Sequence, residues 1–252
     1  METLFIGKNS IFLPEVDSTN SYAIDLLKNV NLPEGTVIHT AHQKTGRGQR
    51  GSVWTAEPLS NVTASLIIRP TFLDLKNQFL LYQITALACY DTMSDLLNKS
   101  QIDIKIKWPN DILVNGKKIA GILIENNLTG ATINWSVIGI GINVNQESFP
   151  DLPRATSVKM ITGESMAYNS ALERFCGHFE KYYLALKQGR TEHITERYLS
   201  LLFGLNERLA FSMNDKKRSL LVTGVSSKGL LQLEDEAGLN IEADVKQLEW
   251  LY

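Results

Sequence analysis

The stretch Gln43-Lys44-Thr45-Gly46-Arg47-Gly48-Gln49-Arg50-Gly51-Ser52-Val53-Trp54 holds three cations and no carboxylate among its glycines. Such a segment can wrap an anion, because glycine backbone N–H groups turn freely toward it and guanidinium forks bind its oxygens in pairs. Trp54 adds a stacking surface. Gly46, Gly48 and Gly51 satisfy the spacing G-x-G-x-x-G, and Val53 extends it to the kinase form. A dinucleotide-binding loop opens a helix, whereas Pro58 and a β-rich run follow here. A kinase needs HRD and DFG tripeptides, which are absent, and a P-loop needs Lys where Ser52 stands. What remains is an anion-wrapping loop or a solvated basic turn, and charge alone leaves both open.

Three further clusters carry polar groups at suggestive spacing. Lys107-Trp108-Pro109-Asn110-Asp111 ends a strand-like alternation in a proline-stiffened turn that displays an amide and a carboxylate. These suit a divalent cation or sugar hydroxyls, or simply bond their own backbone as turn residues do. Within Gly116 to Leu123, strict alternation places Lys118 opposite Ile119 and on the face of Ala120, with small neighbours that leave room for a ligand. A lysine beside a hairpin turn is equally a solvated one.

The run Ile138-Gly139-Ile140-Gly141-Ile142-Asn143 reads as a strand whose glycines admit a ligand or another chain close to the backbone. Asn143 offers the donor and acceptor that an adenine edge requires. Ser18-Thr19-Asn20 is either a helix cap or a polar pocket wall. The four histidines lack metal-ligand spacing, and neither a G-x-S-x-G elbow nor a Cys-x-x-Cys pair occurs. Covalent and zinc catalysis therefore have no candidate residue.

Elements to position these groups are legible around them. Ala23, Leu26, Leu27 and Val30 share one face of a helix that starts near residue 19, with Ser18 or Thr19 as its cap. β-rich runs at 36–41 and 62–69 flank the basic stretch, which shows neither period and is expected to be a loop. Helical spacing of Leu80, Ile84, Leu87 and Ala88 predicts a helix over 77–99. The period then drops to two at Ile104, Ile106 and Trp108. Asn115-Gly116 between apolar runs predicts a hairpin from 111–114 to 119–125, and a turn at Thr129-Gly130 returns the chain as a strand over 132–144. Helices follow at 171–187 and around Ile194 to Leu202. Past Gly204 the texture changes to four or five short β runs punctuated by Asn214-Asp215, Ser227 to Gly229 and Asp235 to Gly238. The expected fold class is α+β: a mixed β-sheet flanked by helices over 1–204, then a small β-barrel over 205–252.

At 252 residues with 44% apolar content, the chain can bury a sizeable core, which excludes long disorder. A net charge of −2 supplies no global field for nucleic acid or anionic membrane, so any basic site is local. No signal-peptide h-region and no membrane-spanning run are present. Cys89 and Cys176 lie in helical patterns as small buried hydrophobes, which points to a reducing, cytoplasmic compartment.

In their order along the chain, Ser18-Thr19-Asn20, Gln43, Gly46-Arg47-Gly48, Trp54, KWPND at 107–111, GKKIAGILIE at 116–125 and GIGIN at 139–143 resemble the biotin protein ligases. The resemblance implies a class II synthetase-like catalytic domain with a C-terminal SH3-like barrel. It implies a reaction in which biotin and ATP, helped by Mg²⁺, form biotinyl-5′-adenylate before biotin passes to one lysine of a biotin carboxyl carrier domain. By the same resemblance Ser18, Thr19, Asn20 and Gln43 line the biotin head-group pocket, and Arg47 closes over it with Gly48, Gln49 and the rest of the loop. Lys118 meets the biotin carboxylate and then the adenylate phosphate, Trp54, Asn110 and Asn143 contact adenosine, and Asp111 acts near the ribose, the metal or the incoming lysine. Lys118, Arg47 and Asp111 are the catalytic candidates; no metal ligands are assigned.

Where many relatives carry a second loop arginine this chain has Gln49, which removes one charge from the wrapped anion. Only about 17 residues precede Ser18, too few for the winged helix-turn-helix of the repressor members, so no operator binding is expected. A homodimer stays open. The competing expectations are a lipoate or octanoate ligase built on the same logic, and a non-catalytic biotin-binding protein.

Overall fold

The computed structural model describes residues 2–97, 102–150 and 152–251, apart from the side chain of Arg50. The helix end expected at Lys99 lies outside the described residues. Strand β1 (Ser10–Val16), helix α1 (Thr19–Asn29) and strand β2 (Val37–Gln43) open the chain. Ser18 caps α1, its hydroxyl accepting the Ser21 N–H. The basic stretch differs from the expected loop: it folds back as a miniature hairpin of β3 (Gly46–Arg47) and β4 (Val53–Trp54). Gly48 N–H closes it on Ser52 O at 2.7 Å, and Gly51 takes the turn at φ 76°.

Strand β5 (Val62–Ile68) leads into helix α2 (Phe79–Leu97), and an antiparallel meander follows: β6 (Ile104–Lys107), β7 (Asp111–Val114), β8 (Lys117–Thr129) and β9 (Thr132–Ile142). Asn115 at φ 49° and Gly116 at φ 74° make the β7–β8 turn that their sequence predicts. Helices α3 (Val158–Thr162), α4 (Tyr168–Lys187) and α5 (Thr191–Ser200) come next. The last part comprises β10 (Arg208–Met213), β11 (Lys216–Val225), β12 (Leu231–Glu234), β13 (Asn240–Ala243) and β14 (Leu248–Trp250).

The first sheet has seven strands in the order β1-β2-β5-β9-β8-β7-β6, with β1 parallel to β2 and every other pairing antiparallel. On one face, Leu66, Ile124, Ile138 and Ile140 pack with Leu81 and Ile84 of α2 and Phe175 and Phe179 of α4 in the main core. The other face is only partly covered, where Ala23 of α1 meets Ile38, Ile67 and Val137. Beyond α1 that face carries Thr63, Gly121, Gly139 and Gly141, and it stays open as a cleft.

The second sheet, β13-β12-β11-β10-β14, is antiparallel throughout and of the SH3-like kind. It is joined tightly to the first. Ile106 N–H donates to Leu201 O, Phe203 N–H donates to Ile106 O, and the Trp108 indole N–H donates to Gly229 O at 2.9 Å. No described helix is long and apolar enough to cross a membrane.

Candidate active site

A cleft of about 350 Å³ opens on the face of the seven-stranded sheet that α1 leaves uncovered. A continuous row of polar side chains forms one wall. Gln43, at the end of β2, accepts the Thr19 N–H at 2.9 Å. The Thr19 and Ser65 hydroxyls lie 2.8 Å apart, and Ser65 donates to Asn20 Oδ1 at 2.5 Å. Asn20 Nδ2 donates onward to Glu125 Oε2 at 2.8 Å, and the Arg47 guanidinium meets that same oxygen at 2.6 Å. Asn20 fits there only because residue 139 is glycine, since a Cβ would stand 2.6 Å from its Oδ1. Ser18, Thr19 and Asn20 are thus both helix start and pocket wall.

The floor belongs to Trp54, whose ring stands against the backbone of β8 and β9 at Gly121 and Gly141. A Cβ on Gly141 would overlap the indole, and one on Gly121 would come within 3.2 Å of it. The glycines expected to admit a ligand or another chain therefore admit Asn20 and Trp54. The indole nitrogen is buried and has no partner among the described residues.

Lys118 Nζ sits 5.7 Å from the Trp54 ring centre and 2.6 Å from Asp111 Oδ1. Its placement corrects the alternation expected from sequence. The β7–β8 pairing jumps from Ile112↔Ala120 to Leu113↔Lys118, a bulge that leaves Ile119 unpaired and resets the alternation. Ala120 is therefore in the main core, and the Lys118 side chain shares the cleft face with Gly121.

The turn before Asp111 is tied down on both sides, and its Trp108-Pro109 bond is cis. Asn110 Nδ2 donates to Ile122 O at 2.8 Å, and Ile122 N–H donates back to Asn110 O at 3.0 Å. The second sheet completes the opposite wall through Val245, Leu248, Glu249 and Trp250. Lys107 Nζ stands 5.7 Å over the Trp250 ring.

Ser18, Thr19, Asn20, Gln43, Arg47, Gly48, Gln49, Trp54, Asn110, Asp111 and Lys118 all line this one cleft. Asn143 does not. It is buried behind the wall, where its Nδ2 donates to Thr156 O at 3.0 Å and its Oδ1 has no partner among the described residues. Gln49 Nε2 lies 3.4 Å from the Tyr82 hydroxyl, which burial holds in its neutral form by raising its pKa. Sequence reasoning misses Thr63, Glu125 and the whole contribution of residues 245–250. Glu125 ends the very string that marks β8, but the 245–250 segment carries no motif.

The chain matches the model of the biotin/lipoate A/B protein ligase family over residues 12–143. It is 32% identical to the bifunctional ligase/repressor BirA of Bacillus spizizenii over 95% of this chain and 73% of that protein. It is 30% identical to the biotin–[acetyl-CoA-carboxylase] ligase of Paracoccus denitrificans over 91% and 95%. Its structure resembles a biotin protein ligase from Aquifex aeolicus solved with biotin and ATP, with a TM-score of 0.79 and 26% identity over 96% of this chain and 98% of that one. The matched region holds the Gly-rich hairpin, the proline turn, Lys118 and the glycine strand, and on this ground the chain belongs to the biotin/lipoate A/B protein ligase family.

Proposed function

We propose that the protein is an ATP-dependent biotin protein ligase. The observation that carries this reading is the meeting, in one cleft, of a row of alternating hydrogen-bond donors and acceptors with the Lys118 and Arg47 cations. A ureido ring presents two N–H donors around one carbonyl, and Ser18, Thr19, Asn20 and Gln43 supply matching groups in buried positions. The similar proteins that carry ligase names and the Aquifex complex with biotin and ATP support the same substrates here.

In the first half-reaction a biotin carboxylate oxygen attacks the α-phosphorus of ATP, and the bond from that phosphorus to the bridging oxygen of pyrophosphate breaks. Both reactants are anionic, so the cleft must cancel charge where it gathers. Lys118 and Arg47, which both line the cleft, would supply that charge, and no enzyme nucleophile takes part. Trp54 and Asn110, which line the cleft, would meet the nucleoside, whereas Asn143 lies outside the lining and holds Thr156 O. Asp111 is the carboxylate that would hold Mg²⁺, which commonly takes one or two carboxylates and completes its shell with phosphate oxygens and water. When bound, that ion neutralises phosphate charge. In the second half-reaction the neutral amine of a carrier lysine attacks the acyl carbon and AMP leaves, with Asp111 placed to steer the incoming amine.

The acceptor belongs to a biotin carboxyl carrier domain of a carboxylase, and the reaction runs in the cytoplasm, where Cys89 and Cys176 stay free thiols. We take the domain boundary at 204/205, with residues 1–204 holding both substrates. The test is incubation with ATP and either biotin or lipoate, following pyrophosphate release and carrier labelling. Biotin-dependent release and labelling are expected. Labelling by lipoate alone, or biotin binding without turnover, overturns the reading.

A further inference from the structure

We propose that Glu125 is a positioning residue that latches the basic hairpin over the cleft by holding Arg47, an inference that rests on the adenylate-forming reading above. Glu125 stands on β8 outside the main cleft, in a shallow groove on the outer side of the hairpin, and Arg47 borders both spaces. One oxygen, Glu125 Oε2, accepts from Arg47 Nη2 at 2.6 Å and from Asn20 Nδ2 at 2.8 Å. The carboxylate thereby ties the hairpin to the fixed polar wall of the site.

A negative group beside an anion site needs a reason, and the donor count supplies it. A guanidinium carries five N–H donors, and the contact with Glu125 uses one nitrogen. The remaining donors are held in a fixed plane and stay free to meet phosphate or carboxylate oxygens. Without Glu125 the long Arg47 side chain would sweep through many rotamers, and ordering it would weigh against ligand binding. A second tether supports the same geometry: Gln49 reaches the Tyr82 hydroxyl at 3.4 Å, and that hydroxyl donates to Ile124 O at 3.4 Å, next to Glu125. The hairpin is thus pinned to β8 at neighbouring points, and closing it excludes water from an acyl-phosphate anhydride.

The test uses Glu125→Ala, Glu125→Gln, Arg47→Ala and the double variant Arg47→Ala/Glu125→Ala in the full chain. Hydrogen exchange over residues 44–54 of the ligand-free protein reads the latch directly. Glu125→Ala is expected to speed exchange there about ten-fold, the factor for losing one charge-assisted hydrogen bond, without speeding exchange in α2 or β9. Release of preformed labelled biotinyl-adenylate in a chase should rise by about the same factor. Glu125→Gln keeps an acceptor oxygen and should fall closer to the parent protein. In hairpin exchange the double variant should match Arg47→Ala alone, because the Glu125–Asn20 bond lies outside residues 44–54. Parental exchange at 44–54 in Glu125→Ala, or additive effects in the double variant, overturns the proposal. Should Glu125→Ala fold poorly, additivity of Glu125→Gln with Arg47→Ala overturns it just as well. Faster hairpin exchange in a protein that makes no adenylate would instead sink the ligase reading and leave the latch standing.

Discussion

Lys118 and Asp111 face each other across the β7–β8 pair with Nζ and Oδ1 2.6 Å apart, and the β-bulge at Ile119 is what turns the lysine toward the aspartate and into the cleft. The pair is partly solvent-exposed, so its contribution to folding is small. Its value lies in holding a cation where charge develops. Lys118→Ala should lower biotin-dependent pyrophosphate exchange by about 100-fold or more while leaving the melting temperature within a few degrees of the parent. Asp111→Asn should spare biotin binding in a calorimetric titration and lower carrier labelling. Parental kinetics in Lys118→Ala would remove it from the site.

Gly141→Ala places a methyl where the Trp54 ring already lies. The collision is of a half-buried ring with strand backbone, so the indole must leave the floor. The expected outcome is a shifted tryptophan emission and at least a ten-fold loss in adenylate synthesis. Gly177→Ala, on α4 with nothing within 4 Å and an ordinary backbone φ, is the control, and it should leave both signals unchanged.

Trp108→Phe deletes the indole N–H that Gly229 O accepts across the junction between the two sheets. The cost should be about 1 kcal/mol, measured by urea unfolding. A carrier-labelling defect larger than this stability loss explains would show that the junction also sets the Asn110–Asp111 turn.

His39 supplies a pH dependence. Burial lowers its pKa below the ordinary 6.5, and its Nδ1 has no partner among the described residues. The folded chain keeps it neutral, while the unfolded chain takes up a proton once the pH falls below about 6.5. Stability is therefore fully present above that range and declines as the pH falls toward the lowered folded value. The melting temperature should drop from pH 7.5 to pH 5.5, and His39→Gln should flatten that drop. An equal drop in both proteins would assign it to other groups.

Much of this site is legible in the sequence because chemistry and local structure share the same residues. Asn115-Gly116 fixes the hairpin, and the KWPND and GIGIN strings mark one turn and one strand that do border the cleft. What escapes is set by long-range geometry. Strand β1 hides because Pro14 breaks its pattern, and proline is tolerated there only because β1 is an edge strand of the sheet. The five-residue helix α3 is too short to show a period. The bulge at Ile119 reverses a face assignment that alternation alone makes. Asn143, expected at adenosine, is buried outside the cleft lining, with its amide donating to Thr156 O.

The second sheet lends Val245, Leu248, Glu249 and Trp250 to the cleft while Gly229 grips the Trp108 indole. Phe211, Leu220, Val222 and Leu231 of that sheet belong to the same continuous core as α2 and α4, so catalysis depends on one core that both sheets share. Residues 208–250 cannot fray without opening that shared core, so heat inactivation should coincide with a single cooperative calorimetric peak.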